Sequence, residues 1–185
     1  MKNITDTVVN EVTEVLDQVD TDQAVKAAKE LQEARQIFIA GTGRSGAVGK
    51  MFAIRLMHIG FHVYVVGESI TPSIASDDVL LIISGSGSTA TLKQYATKAK
   101  EIDARVVLLT TNEASPIGTL SDCTLRIPAA TKKRLPSEPE TIQPLGSQFD
   151  QSAHLLLDAI VVYLLQQFPE RNESSDLVQK HANLE

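Results

Sequence analysis

The chain has 185 residues, 43% of them apolar and 22% charged, the make-up of one globular domain of ordinary size. Its formal net charge of −6 runs against non-specific nucleic-acid binding, which needs a basic surface. No apolar run reaches the ~18–20 residues of a membrane span, the N-terminal MKNITDTVVNEV does not read as a signal peptide, and the expected compartment is the cytoplasm. The single cysteine, Cys123, allows no internal disulfide and reads as a small buried hydrophobe in the stretch SDCTLRIP.

The first 35 residues predict two packing helices. Ile4, Val8, Val12, Val15 and Val19 fall at spacings of three and four and predict one apolar stripe. Asp20 to Gln23 has the spacing of a capping box that opens a second helix through Ala24, Ala28 and Leu31. The runs QIFIAG, FHVYVVG, DDVLLIISG and DARVVLLTT are apolar almost throughout, as strands covered on both faces are. Helices are expected over about 46–59 and about 90–102. CTLRIP, ended by Pro128, reads as an edge strand. Strands alternating with helices predict an α/β fold, a parallel sheet in a doubly wound sandwich. Residues 129–146, with Pro136, Pro139 and Pro144, form a long polar loop of the kind that is functional or mobile. SQFDQSAHLLLDAIVVYLLQQF is then a buried helix or an oligomer face, and residues 170–185 make a polar tail. No composition shift marks a domain boundary, so residues 1–185 read as a single domain.

Two loops carry the chemistry. Gly41-Thr42-Gly43-Arg44-Ser45-Gly46 follows the first strand and matches the G-x-G-x-x-G dinucleotide pattern. Ser84-Gly85-Ser86-Gly87-Ser88-Thr89 follows the third strand and alternates glycine with hydroxyls. Glycines let backbone N–H groups approach an anion, helix N-termini favour negative charge, and hydroxyls add donors suited to a phosphate monoester. Walker A chemistry is ruled out, because Gly49-Lys50 is followed by Met51. A dinucleotide is the competing reading: Glu68, about 20 residues past the loop, has the place of a ribose-binding acid. It follows a glycine in VVGES, however, and the hydroxyl-rich second loop has no part in that fingerprint.

GTGRSG, RLMHIGF, VYVVGES-x-TP, IISGSGST, PLGSQFDQ and the terminal KHANLE together resemble the 6-phospho-3-hexuloisomerase family of the SIS (sugar isomerase) domain superfamily, in order and over nearly the whole chain. The resemblance implies a five-stranded parallel sheet flanked by helices, a homotetramer, and interconversion of D-arabino-hex-3-ulose 6-phosphate and fructose 6-phosphate. That reaction belongs to the ribulose monophosphate route of formaldehyde handling, with 3-hexulose-6-phosphate synthase as a pathway partner. No redox cofactor or metal is implied. The resemblance makes Ser45, Ser84, Ser86 and Thr89 the phosphate cradle, shaped by Gly43, Arg44, Gly85 and Gly87. Arg44 reads equally as an exposed loop charge or as a stabiliser of the enediolate. Ser88 stands where relatives often carry an acid and has the place of a helix N-cap.

The base expected from the resemblance is Asp150, where the family pattern GS-x-FE carries Glu. Ser147-x-x-Asp150 also has capping-box spacing, a purely structural alternative. Glu68 is the second candidate carboxylate. His58, at a helix end, and His181, in the tail, compete as proton carriers, since related SIS isomerases bring a C-terminal histidine into a neighbouring subunit's site. His62 and His154 read as structural. The rivals are a SIS-type sugar-phosphate-binding protein without turnover and an NAD-binding oxidoreductase.

Overall fold

The computed structural model describes residues 1–168, 177, 178, 180 and 181. Two helices, α1 (Lys2–Leu16) and α2 (Thr21–Glu33), lead into β1 (Ile37–Gly41), α3 (Gly43–His58) and β2 (Val63–Val65). There follow β3 (Val79–Ile83), α4 (Ala90–Glu101), β4 (Arg105–Thr110), a 3-10 turn at Gly118–Leu120, β5 (Cys123–Arg126) and α5 (Ser147–Gln167). All strand pairs are parallel, in the order β2-β1-β3-β4-β5. This is the flavodoxin-like doubly wound order, whose strand sequence reverses between β1 and β3.

The alternation of side chains along each strand divides the core. Ile37, Ile39, Val79, Leu81, Ile83, Val107 and Leu109 face α2, α3 and α5, while Phe38, Ala40, Leu80, Ile82, Val106 and Leu108 face α4. β3 and β4 read as continuous apolar runs because both faces are covered, with every residue of Val79–Ile83 buried. β2 departs from that expectation. It pairs with β1 alone, is three residues long, and all three are only partly buried. β5 is the other edge, as Pro128 predicts.

The N-terminal stripe is buried only in its second half. Val12 and Val15 enter the core, Val19 packs partly against it, and Ile4 is exposed. Asp20 caps α2, accepting from the Asp22 and Gln23 N–H groups on Oδ1 at 2.8 and 3.3 Å. The reciprocal half of the capping box is not made: the Gln23 amide reaches instead to Glu113 and to the Arg126 N–H, tying α2 to the far edge of the sheet.

The 129–146 segment has no helix or strand, yet it is anchored. The buried Glu11 carboxylate of α1 accepts from Thr141 Oγ1 at 2.5 Å, the Ile142 N–H at 2.8 Å and Gln143 Nε2 at 2.9 Å. Buried Gln148 of α5 donates to the Glu11 carbonyl and accepts from the Ala130 N–H at 2.8 Å. Both ends of the loop are therefore pinned to helices that pack under the sheet.

Candidate functional site

The Gly41–Ile83 register sets the ends of β1 and β3 side by side, so both glycine-rich loops leave the sheet together at its switch point. α3 begins at Gly43, earlier than the sequence predicts, within the loop itself. The loop closes because Gly41 and Gly46 touch: a Cβ on Gly46 would lie 2.8 Å from the Gly41 carbonyl oxygen. In the second loop Gly87 adopts φ +57°, and Gly85 leaves room for the Phe149 ring of α5. The Gly85 carbonyl accepts from Thr110 Oγ1 and Thr111 Oγ1 at 3.1 and 2.8 Å, fixing the loop to the end of β4.

A cleft of about 280 Å³ opens between these loops and the 129–146 segment. Thr42 and Ser45, Ser84 to Ser86 with Thr89, Ala130 to Lys132, and Gly146 with Asp150 line it. The N-terminal ends of α3, α4 and α5 all converge there, capped at Thr42, Thr89 and Gly146 without a side-chain hydrogen bond. Unused N–H groups at three helix starts favour an anion. The cap of α4 is Thr89 rather than Ser88, whose hydroxyl donates to Ser86 Oγ at 3.1 Å.

Asp150 is buried at one wall of the cleft. Its carboxylate accepts Ser45 Oγ on Oδ1 at 2.9 Å and pairs with Arg44 Nε through Oδ2 at 3.1 Å. The capping-box alternative with Ser147 is not realised, because α5 is capped by Gly146. Ser45 thus faces two ways, lining the cleft and holding the carboxylate, while Arg44 stays two-thirds exposed beside it.

The sequence of residues 30–143 matches the SIS domain family. A 3-hexulose-6-phosphate isomerase of Bacillus subtilis is 39% identical over 96% of this chain and 95% of its own. One of Methylomonas aminofaciens is 34% identical, with both chains covered in full. A crystal structure of a Methanococcus jannaschii protein, for which a molecular function of 3-hexulose-6-phosphate isomerase was inferred, superposes with a TM-score of 0.84 at 30% identity, covering 98% of each chain. The chain belongs to the SIS domain family, among the 3-hexulose-6-phosphate isomerases.

The SIS cleft gathers Ser45, Ser84, Gly85, Ser86, Thr89 and Asp150 from the residues singled out in the sequence. Gly43 and Gly87 shape the two loops through positive φ without lining the cleft. Glu68 is half-exposed and engaged by Lys50 Nζ at 2.7 Å. His58 is buried at the other end of α3, its ring stacked on that of His181 at 5.2 Å. His58 lies thirteen positions along the helix from Ser45, a rise of about 20 Å, so within one chain neither histidine shares the cleft with Asp150. The pair borders a separate 730 Å³ hollow with Arg55, Val161, Leu165 and Leu177. Apart from residues 177, 178, 180 and 181, the 170–185 tail, including residues 182–185 of the HANLE motif, lies outside the described residues.

Three polar side chains of the cleft escape the sequence reading: Thr42, Thr131 and Lys132. Thr42 stood inside the quoted GTGRSG; the other two lie in the irregular segment, where only the length of the loop and its prolines hinted at a role. Cys123 is buried, its thiol pushed up to about 11 by burial. Among the described residues, no three His, Cys, Asp or Glu side chains gather as a metal site would require.

Proposed function

We propose that this chain interconverts D-arabino-hex-3-ulose 6-phosphate and fructose 6-phosphate. The single observation that carries the reading is the cleft itself: two hydroxyl-and-glycine loops and three helix starts meet around one buried carboxylate. A phosphate suits the 84–89 side, where Ser84, Ser86 and Thr89 add hydroxyl donors to the α4 N-terminus. Asp150, across the cleft, is then the base that takes the C2 proton of the 3-ulose. The electron pair of that C–H bond forms the C2–C3 double bond while the C3 carbonyl pair moves onto O3, giving an enediolate. The O2 proton passes to O3, Asp150 returns its proton to C3, and the carbonyl is left at C2. Arg44 and Ser45 orient the carboxylate from the α3 side.

The pathway setting follows from the same reading: the ribulose monophosphate route of formaldehyde handling in the cytoplasm, with 3-hexulose-6-phosphate synthase supplying the substrate. A homotetramer belongs to it as well. The half-exposed Met51, Ile54 and Met57 of α3 and Leu155 and Val162 of α5 offer an apolar face to another copy. Because His181 and Asp150 lie at opposite ends of α3, a tail histidine can serve this chemistry only across a subunit boundary. Mixing inactive Asp150 and His181 variants would recover activity if the site is shared.

The deciding measurement is formation of fructose 6-phosphate from hexulose 6-phosphate by the pure protein in a coupled assay. Binding of fructose 6-phosphate with no turnover would move the chain to the non-catalytic sugar-phosphate-binding class. A calorimetric response to NAD without one to fructose 6-phosphate would move it to the dinucleotide class.

A further inference from the structure

The cleft places a carboxylate, Asp150, opposite the expected seat of a phosphate dianion, and two anions in one small site need a counter-charge. Arg44 is paired with Asp150 and does not line the cleft. Among the described residues Lys132 is the one cation that does, and its ammonium has no ion pair or hydrogen bond there. It also borders an adjoining 80 Å³ recess together with Ser86, which places it beside the 84–89 loop; Lys133 borders that recess too, but not the cleft.

The turn carrying Lys132 is built, not loose. Glu138 reaches back across it and accepts from the Thr131 N–H at 2.9 Å, Thr131 Oγ1 at 2.6 Å and the Leu135 N–H at 3.2 Å. Thr131 Oγ1 in turn accepts from the Lys133 N–H at 3.1 Å. Burial pushes the Glu138 carboxyl up, but these hydrogen bonds and the charge of Arg134 outweigh it, so its pKa lies below the ordinary 4.5 and the clamp is anionic at neutral pH. Gln148 holds Ala130, two residues before Lys132, by its N–H. The backbone of Lys132 is thus held from both sides at the mouth of the cleft, with its ammonium exposed to a ligand.

We propose that Lys132 is the cation that binds the substrate's phosphate, and that Glu138 is a positioning residue that closes the turn delivering it. The assignment of the ligand as a sugar phosphate rests on the function proposed above.

Calorimetry with inorganic phosphate and with fructose 6-phosphate, run beside the coupled assay, tests both halves. Lys132→Met should weaken both ligands about tenfold or more and raise KM to match, with kcat within about threefold, because the lost charge-assisted bond holds ground state and transition state alike. Lys132→Arg should restore binding to within about threefold. Lys133→Met, the same change of net charge one residue along and outside the cleft, should stay within about twofold. Glu138→Gln should weaken fructose 6-phosphate in the native background, yet add no more than about twofold in Lys132→Met, since a residue acting through Lys132 has nothing left to position. Unchanged affinity in Lys132→Met, an equal loss in Lys133→Met, or no binding of either ligand by the native protein would overturn the Lys132 assignment. Additive losses in the double variant would overturn the role given to Glu138. A native protein that binds fructose 6-phosphate without turnover leaves the Lys132 test intact while the proposed reaction fails.

Discussion

Asp150 and Ser45, 105 residues apart, meet through a 2.9 Å hydrogen bond in which the serine hydroxyl donates to the carboxylate. With Arg44 on the other oxygen, the first glycine-rich loop becomes the holder of the proposed base as well as one wall of the cleft. In the proposed site the phosphate seat then rests mainly on the 84–89 loop. Asp150→Asn keeps the shape of this arrangement and removes the basic oxygen. It should lower kcat by at least about a hundredfold, within the range for a positioned general base, while fructose 6-phosphate affinity stays within about threefold. More than a tenth of the native rate would move the base to Glu68 or a histidine.

Gly87 tests the seat itself. Its φ of +57° is strained for any side chain, and an added Cβ would overlap the Ser115 hydroxyl with Ser115 Cβ only 2.5 Å away. Gly87→Ala should cost about 1–3 kcal/mol, or a Tm drop of roughly 2–4 °C per kcal/mol, and weaken fructose 6-phosphate binding by an order of magnitude. Thermal melts and calorimetry check the two effects separately; native affinity in a folded variant would remove the loop from the ligand.

The fold was legible wherever a segment is buried on both sides. β3 and β4 announce themselves because Val79–Ile83 and Val106–Leu109 are unbroken apolar runs, and the two loops because glycine alternates with hydroxyls. β2 was overestimated, since an apolar run at a sheet edge looks the same in sequence as one at its centre. The spacing of Ser147 and Asp150 suggested a cap, but only the tertiary fold reveals that Ser45 and Arg44 occupy that carboxylate. Lys132 was hidden for a related reason. Nothing local to TKKRLPSEPE distinguishes it from Lys133; the distinction arises from a turn closed by Glu138 and from Ala130, held at a distance in sequence by Gln148.

Glu11 links the first helix to the segment lining the cleft. Burial pushes its carboxyl up, but the hydrogen bonds from Thr141, Ile142 and Gln143 and the charge of Arg134 outweigh that and hold the pKa below 4.5. A carboxyl depressed in the fold contributes stability that is complete above 4.5 and is lost as pH falls through the folded value. Glu11→Gln should therefore destabilise the protein by about 1–3 kcal/mol at pH 7 and flatten the acid side of its stability profile. Urea melts between pH 3 and pH 7, roughly spanning the carboxylate range, measure both, and an unchanged acid slope would show that Glu11 is not the group titrating.

His58 makes the opposite kind of pH statement. It is 7% exposed, and burial first, then the neighbouring His181 and Arg55, push its pKa below the ordinary 6.5. The neutral ring is the form the fold accepts, so below 6.5 the unfolded chain binds the proton more readily. Stability owed to His58 is complete above 6.5 and declines as pH falls toward the folded value. His58→Gln keeps a polar side chain that cannot charge. Between about pH 7.5 and 5.5, the window below the ordinary histidine value, the native protein should lose more Tm than this variant. Equal losses would mean that the proton goes elsewhere. A smaller loss in the variant would identify the stacked His58–His181 pair as an acid-sensitive joint between α3 and the C-terminal segment.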